Sequence, residues 1–174
     1  PRIGFSWLIH KAKRFGNIQA LVGECLLTIG KIVSTSSAAN TFNCPVAFTT
    51  DYNVNSAGPV EFATGVTAAG WGAVDGAGGL RLAGSSFTFT ADDVNLDDNV
   101  TLAAGSRLSA KNLTGASGQT LTIESGARVE LSGDLVTGEA ANGKLGIDMA
   151  DDAELSVAGT VYAWYNRFTV GRKY

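Results

Sequence analysis

An eleven-residue phrase returns along this chain and limits what it can fold into. Leu121-Thr122-Ile123-Glu124-Ser125-Gly126-Ala127-Arg128-Val129-Glu130-Leu131 is echoed further on by Leu145 to Leu155. A shorter version, Val100-Thr101-Leu102-Ala103-Ala104-Gly105-Ser106-Arg107-Leu108, precedes it. Each copy alternates apolar and polar residues, and the first two do so around a Gly-containing turn. Alternation sends successive side chains to opposite faces of a strand. A repeat of about 20 to 24 residues built this way is the mark of a β-solenoid, in which each coil stacks on the last.

Composition agrees with strands and turns. Of 174 residues, 22 are Gly and only 3 are Pro, and 45% are hydrophobic. That apolar fraction separates the chain from disordered sequences, and its length allows one domain with a real core. The predicted class is all-β: a short parallel β-helix carrying an N-terminal helical arm.

Alternation also predicts which side chains point inward. Leu121, Ile123, Val129 and Leu131 face the core, as do Leu145, Ile147, Ala153 and Leu155. The expected inner ladders are Leu102–Ile123–Ile147 and Leu108–Val129–Ala153. Further short strands are expected at Leu27–Gly30, Pro45–Thr50, Pro59–Thr64, Leu80–Ser85, Phe87–Thr90 and Val94–Leu96. The step from Pro45 to Pro59 is shorter than a full coil, which leaves the first coils irregular. The segments 69–79 and 133–143, rich in Gly and Ala, read as loops projecting between coils.

The charge is unevenly placed. The net charge is −3. Residues 1–25 carry Arg2, Lys11, Lys13 and Arg14 against Glu24, residues 161–174 carry Arg167, Arg172 and Lys173, and the acidic excess lies between them. Three parts follow: an arm at 1–25, a solenoid body at 26–160 and a closing segment at 161–174. In the arm, Phe5, Leu8, Ile9 and Lys11–Arg14 read as a short amphipathic helix that Gly16 ends, with a second helix at 17–24. The arm is either an anchor, through Phe5, Trp7, Leu8, Ile9, Lys11, Lys13 and Arg14, or a cover for the open solenoid end. In the closing segment, Trp164, Tyr165, Arg167, Phe168, Arg172 and Tyr174 suit either a cap or a contact with a partner, because aromatic and Arg residues dominate interface hot spots.

Candidate chemistry is sparse, and the chain is read as a non-enzyme. The single histidine, His10, lies in the arm beside Lys11, so no Ser-His-Asp set can be built on the body. The run 70–79 lacks the Gly-Lys-Ser/Thr ending of a phosphate loop. Stacking Leu145 on Leu121 places Glu124 over Asp148 and Glu130 over Glu154, with Arg128 over Asp152 between them. Such carboxylate pairs are what a glycosidase or a calcium site would use. Asp92, Asp93, Asp97 and Asp98 with Asn99 lack the spacing of an EF-hand loop and read as a solvated turn. No metal and no cofactor are expected. Cys25 and Cys44 are separated by one coil, so they stack either as two buried thiols or as a disulfide. No apolar run is long enough to span a bilayer. Lys11, Lys13 and Arg14 interrupt any secretory h-region. The acidic body disfavours nucleic acid.

The phrases at 100–108 and 121–131 resemble those of right-handed parallel β-helix proteins. The resemblance covers about residues 80–160 and extends more weakly back to 27. Such phrases recur in phage tailspikes, head fibres and decoration proteins, in bacterial adhesins and in bactofilins. The resemblance implies a structural or attachment protein of a virion, docked on a capsid or tail protein through its arm and assembled as a homotrimer. The alternatives it leaves are a filament subunit or adhesin at the cell surface or outside the cell, contact with a cell-surface glycan, and a carbohydrate-active enzyme using Glu124, Asp148, Glu130 or Glu154.

Overall fold

The computed structural model describes residues 26–75, 81–116, 118–138 and 145–164. The helical arm, with Phe5, Trp7, Leu8, Ile9, His10, Lys11, Lys13 and Arg14, lies outside the described residues. So do Cys25 and, in the closing segment, Tyr165, Arg167, Phe168, Arg172 and Tyr174. Among the described residues all regular structure is β, and every strand pair is parallel. The chain is a parallel β-solenoid.

Each coil contributes to three faces. The first face stacks β3 (Asn40–Phe42), the start of β6 (Val60–Ala68), the start of β8 (Arg81–Phe89), β10 (Val100–Leu102), β13 (Thr120–Ile123) and β16 (Gly146–Met149). The second stacks β1 (Leu27–Ile29), β4 (Val46–Phe48), the ends of β6 and β8, β11 (Arg107–Ala110), β14 (Arg128–Leu131) and β17 (Glu154–Val157). The third stacks β2 (Ile32–Ser34), β5 (Tyr52–Ser56) and β7 (Trp71–Asp75). A separate sheet continues this face through β9 (Asp93–Leu96), β12 (Asn112–Gly115), β15 (Leu135–Gly138) and β18 (Val161–Trp164). Because β6 and β8 run through the corner between the first two faces, those faces form a single eleven-stranded sheet.

The core is a set of columns running along the stack. On the second face, Leu27, Val46, Val66, Phe87, Leu108, Val129 and Leu155 follow one another in register. Parallel strands lie about 4.8 Å apart, so equivalent side chains touch and each coil buries its neighbour. The inward residues expected at 121, 123, 129 and 131 are all buried. The early coils are filled by aromatics around Tyr52, which stacks on Trp71 at 5.3 Å and meets Phe48, Phe62 and Phe87. The later coils are filled by Leu, Ile and Val.

Several expectations need correction. In the last coil Leu121 lies against Ile147 rather than Leu145, Ile123 against Met149 and Val129 against Leu155. A shift by two positions preserves the inside–outside alternation, so the strand pattern cannot tell these registers apart. The turn decides. The N–H groups of Ser106, Ala127 and Ala153 donate to the carbonyls of Ala103, Glu124 and Ala150, closing equivalent turns. Gly105 and Gly126 have φ of 71° and 69°, where a Cβ is disfavoured. In register, Asp152 takes that place in the last coil, and Asp tolerates this region better than most residues.

The phrases 45–50 and 59–64 do not stack on each other. Val46 pairs with Val66 on the second face, whereas Val60 pairs with Asn40 on the first. The segments 69–79 and 133–143 are not loops throughout, since they contain β7 and β15. Each of these strands lies on one already formed, so the neighbouring coil supplies hydrogen bonds that local composition does not predict. Cys44 is buried.

Candidate functional surface

The outward positions carry the polar chemistry, and most of it runs along the stack. Glu124 follows β13 and Arg81 opens β8, two coils away. The Arg81 guanidinium donates through both terminal nitrogens to the Glu124 carboxylate, Nη2 to Oε2 at 2.8 Å. The Ala104 N–H donates to the same Oε2 at 3.0 Å. With these donors around it, chiefly Arg81, the Glu124 carboxyl is held below its ordinary range, and Arg81 is raised in turn. Arg107 pairs with Glu130, Arg128 with Glu154 at 3.2 Å, and Lys111 with Asp92 at 2.9 Å.

This pattern replaces the expected carboxylate pairs. In the observed register Asp148 lies beside Thr122, Glu130 beside Ser156 and Glu154 beside Arg128. Arg128 therefore faces Glu154 and not Asp152. Glu124, Glu130 and Glu154 each hold an arginine from another coil. A glycosidase acid needs a carboxyl with a raised pKa. Glu124 moves the opposite way, because its neighbours stabilise the charged form.

The aspartates at the two ends of β9 also have separate partners. Asp92 takes Lys111, Asp93 accepts from Asn112 Nδ2 at 2.9 Å, Asp97 takes Asn95, and Asp98 accepts from Trp71 Nε1 at 3.3 Å. Asn99 Oδ1 accepts the Thr120 N–H at 2.9 Å. Most of these contacts stitch coils together. Among the described residues no group of three or more His, Cys, Asp or Glu is arranged to hold a metal ion.

A shallow, open depression lies on the second face, with Ser109, Lys111, Arg128, Glu130, Ser132 and Glu154 on its lining.

The end of the stack is different. Among the described residues nothing pairs with the far edges of β16, β17 and β18. Ile147, Met149, Leu155 and Val157 are only partly buried, while their neighbours one coil inward are fully buried. Val161 is 41% and Tyr162 48% exposed. Asp148, Asp151, Asp152 and Glu154 are exposed around this edge, and residues 145–164 contain no Lys or Arg. Sequence reasoning does not mark this edge, although that unbroken acidic run is its visible sign. Of the closing-segment residues expected to make contacts, Trp164 ends β18.

No family model matches the sequence, and neither curated proteins nor solved structures yield a significant match. No helix among the described residues is long and apolar enough to cross a membrane.

Proposed function

We propose that this chain is a structural attachment protein, and specifically a virion component of the decoration-protein or short-fibre kind, without catalytic activity. In this reading the solenoid is a rigid body and residues 1–25 are the anchor that docks on a capsid or tail protein. Phe5, Trp7, Leu8 and Ile9 supply apolar contact, and Lys11, Lys13 and Arg14 supply charge. Trp164, Tyr165, Arg167, Arg172 and Tyr174 provide contacts between copies in a homotrimer.

The observation that carries the reading is the cross-coil pairing of the outward charges. Arg81–Glu124, Arg107–Glu130, Arg128–Glu154 and Lys111–Asp92 tie one coil to another across open faces. A body whose polar groups serve its own shape is suited to holding a position. The contrast between a basic arm and an acidic body supports the division of labour.

Light scattering of the purified chain over a concentration series tests the assembly. A discrete trimer is the expected result. Mass that climbs without limit would replace the reading with a filament subunit, and a stable monomer would overturn the trimer. The anchor is tested by removing residues 1–16: the shortened chain should keep its β-rich circular dichroism and lose incorporation into particles. Normal incorporation would sink the anchor.

A further inference from the structure

The edge of β16 that no other described strand pairs has a specific shape to fill. Its inward side chains, Ile147 and Met149, continue the columns Val100–Leu121–Ile147 and Leu102–Ile123–Met149. Its outward Asp148 continues Thr101–Thr122–Asp148. A segment that completed the stack would therefore read apolar–polar–apolar, in parallel register.

The chain itself supplies that pattern at the right distance. From a third-face strand to the first-face strand after it, four of six steps span seven or eight residues, Ile32 to Asn40, Tyr52 to Val60, Asp93 to Val100 and Asn112 to Thr120, whereas Trp71 to Arg81 and Leu135 to Gly146 span ten and eleven. The commoner spacing, counted from Val161, reaches position 168 or 169. Phe168-Thr169-Val170 stands there. It matches Val100-Thr101-Leu102 and Leu121-Thr122-Ile123 position for position, each apolar, Thr, apolar. The step from Ile147 to Phe168 also equals the step from Val100 to its partner Leu121.

Charge points to the same occupant. The last coil carries Asp148, Asp151, Asp152 and Glu154 with no basic residue, and residues 165–174 carry Arg167, Arg172 and Lys173 with no acidic one. A tethered segment also acts at an effective concentration in the millimolar range. A second copy of the chain meets the edge only at its solution concentration.

We propose that the edge of β16 is the docking site of this chain's own segment 168–170. Phe168 covers Ile147, Thr169 lies over Asp148 and Val170 covers Met149. The docked segment closes the end of the core and keeps a second copy from adding there.

Hydrogen–deuterium exchange on the full-length protein tests the docking directly. Amides at 168–170 should exchange about tenfold or more slowly than in a free peptide of residues 165–174, independently of protein concentration. Exchange at the free-peptide rate overturns the proposal. Protection that grows with concentration overturns it too, by assigning the edge to a second copy. In a Phe168→Asp/Val170→Asp variant, protection at Gly146–Met149 should fall and the mass in solution should climb with concentration. A variant whose mass does not change overturns the blocking role.

Discussion

The side-chain carbonyl of Asn112 accepts a hydrogen bond from the backbone N–H of Asp134, one coil further on, at 2.8 Å. The relationship is repeated: Asp134 Oδ1 accepts the Thr160 N–H at 2.8 Å, and Asn112 itself donates to Asp93. These residues occupy one column at the entrance to the third face, where side-chain bonds add to the backbone bonds between coils. Gly133 and Gly159 make the arrangement possible. A Cβ at Gly133 would collide with the Asn112 side chain, and one at Gly159 with that of Asp134.

Asn112→Ala should therefore lower the unfolding free energy by about 1–3 kcal/mol, given about 0.5–1.5 kcal/mol for each of two hydrogen bonds. Urea denaturation provides the reading. Gly133→Ala should also destabilise, because the Asn112 side chain must leave its place. A neutral result for both substitutions would show that the column is decorative.

Tyr52 makes the opposite prediction. It is fully buried among aromatics, and among the described residues its hydroxyl has no hydrogen-bond partner. Burial pushes the phenol above its ordinary pKa by penalising the charged form. Tyr52→Phe should keep the ring contacts and remove an unsatisfied group, raising stability by about 1 kcal/mol. Tyr52→Ala should lose about 3–5 kcal/mol, as large-to-small changes at buried aromatics do. A loss of stability in the Phe variant would refute the first statement.

The Arg81–Glu124 pair predicts a pH dependence. The folded-state pKa of Glu124 lies below its ordinary value. Its contribution is thus present above the unfolded carboxylate pKa of about 4.3 and is lost as pH falls through the lower folded value. Glu124→Gln should be less stable than the parent above about pH 5, and the gap should narrow as pH falls below the ordinary carboxylate range. Thermal melts across that range would show it. Arg81 stays charged throughout, so the change belongs to the carboxylate. A gap that stays constant with pH would remove the ion pair as its cause.

At the turns, Gly126 and Gly105 should resist substitution for a conformational reason. A Cβ at Gly105 would meet no atom within 4 Å, and one at Gly126 would meet only the Gly105 nitrogen, at 4.0 Å. Space is available, yet both have positive φ. Gly126→Ala should cost about 1–2 kcal/mol, and Gly126→Asn should cost less, because Asn visits this region more readily. Equal losses for Ala and Asn would point to packing instead.

Much of the second half of the solenoid is legible in the chain itself. Alternation alone assigns Leu121, Ile123, Val129 and Leu131 inward, and all four are buried. The step from Val100 to Leu121, read from the repeated phrase, is the observed register. The candidate site is less legible. Arg81 and Glu124 are 43 residues apart in sequence, and their contact spans two coils. The repeated phrase instead sets Glu124 against Asp148, because the registers Leu121–Leu145 and Leu121–Ile147 share the same parity. Leu135 and Trp71 fall in segments that read as loops, although each begins a third-face strand. Those segments are rich in Gly or Ala, and a short strand of that kind is stable only on a neighbour that already presents its hydrogen bonds.

Sequence alone determined that this chain forms stacked parallel strands, and which side of each strand is apolar, because a period of two is a local property of the backbone. Only the tertiary structure decided the register of the last coil, the partners of the outward charges and the edge of β16 that no other described strand pairs. Those depend on where turns fall and on which coil lies next to which, and a polar residue reaches along the stack to groups that alternation does not specify.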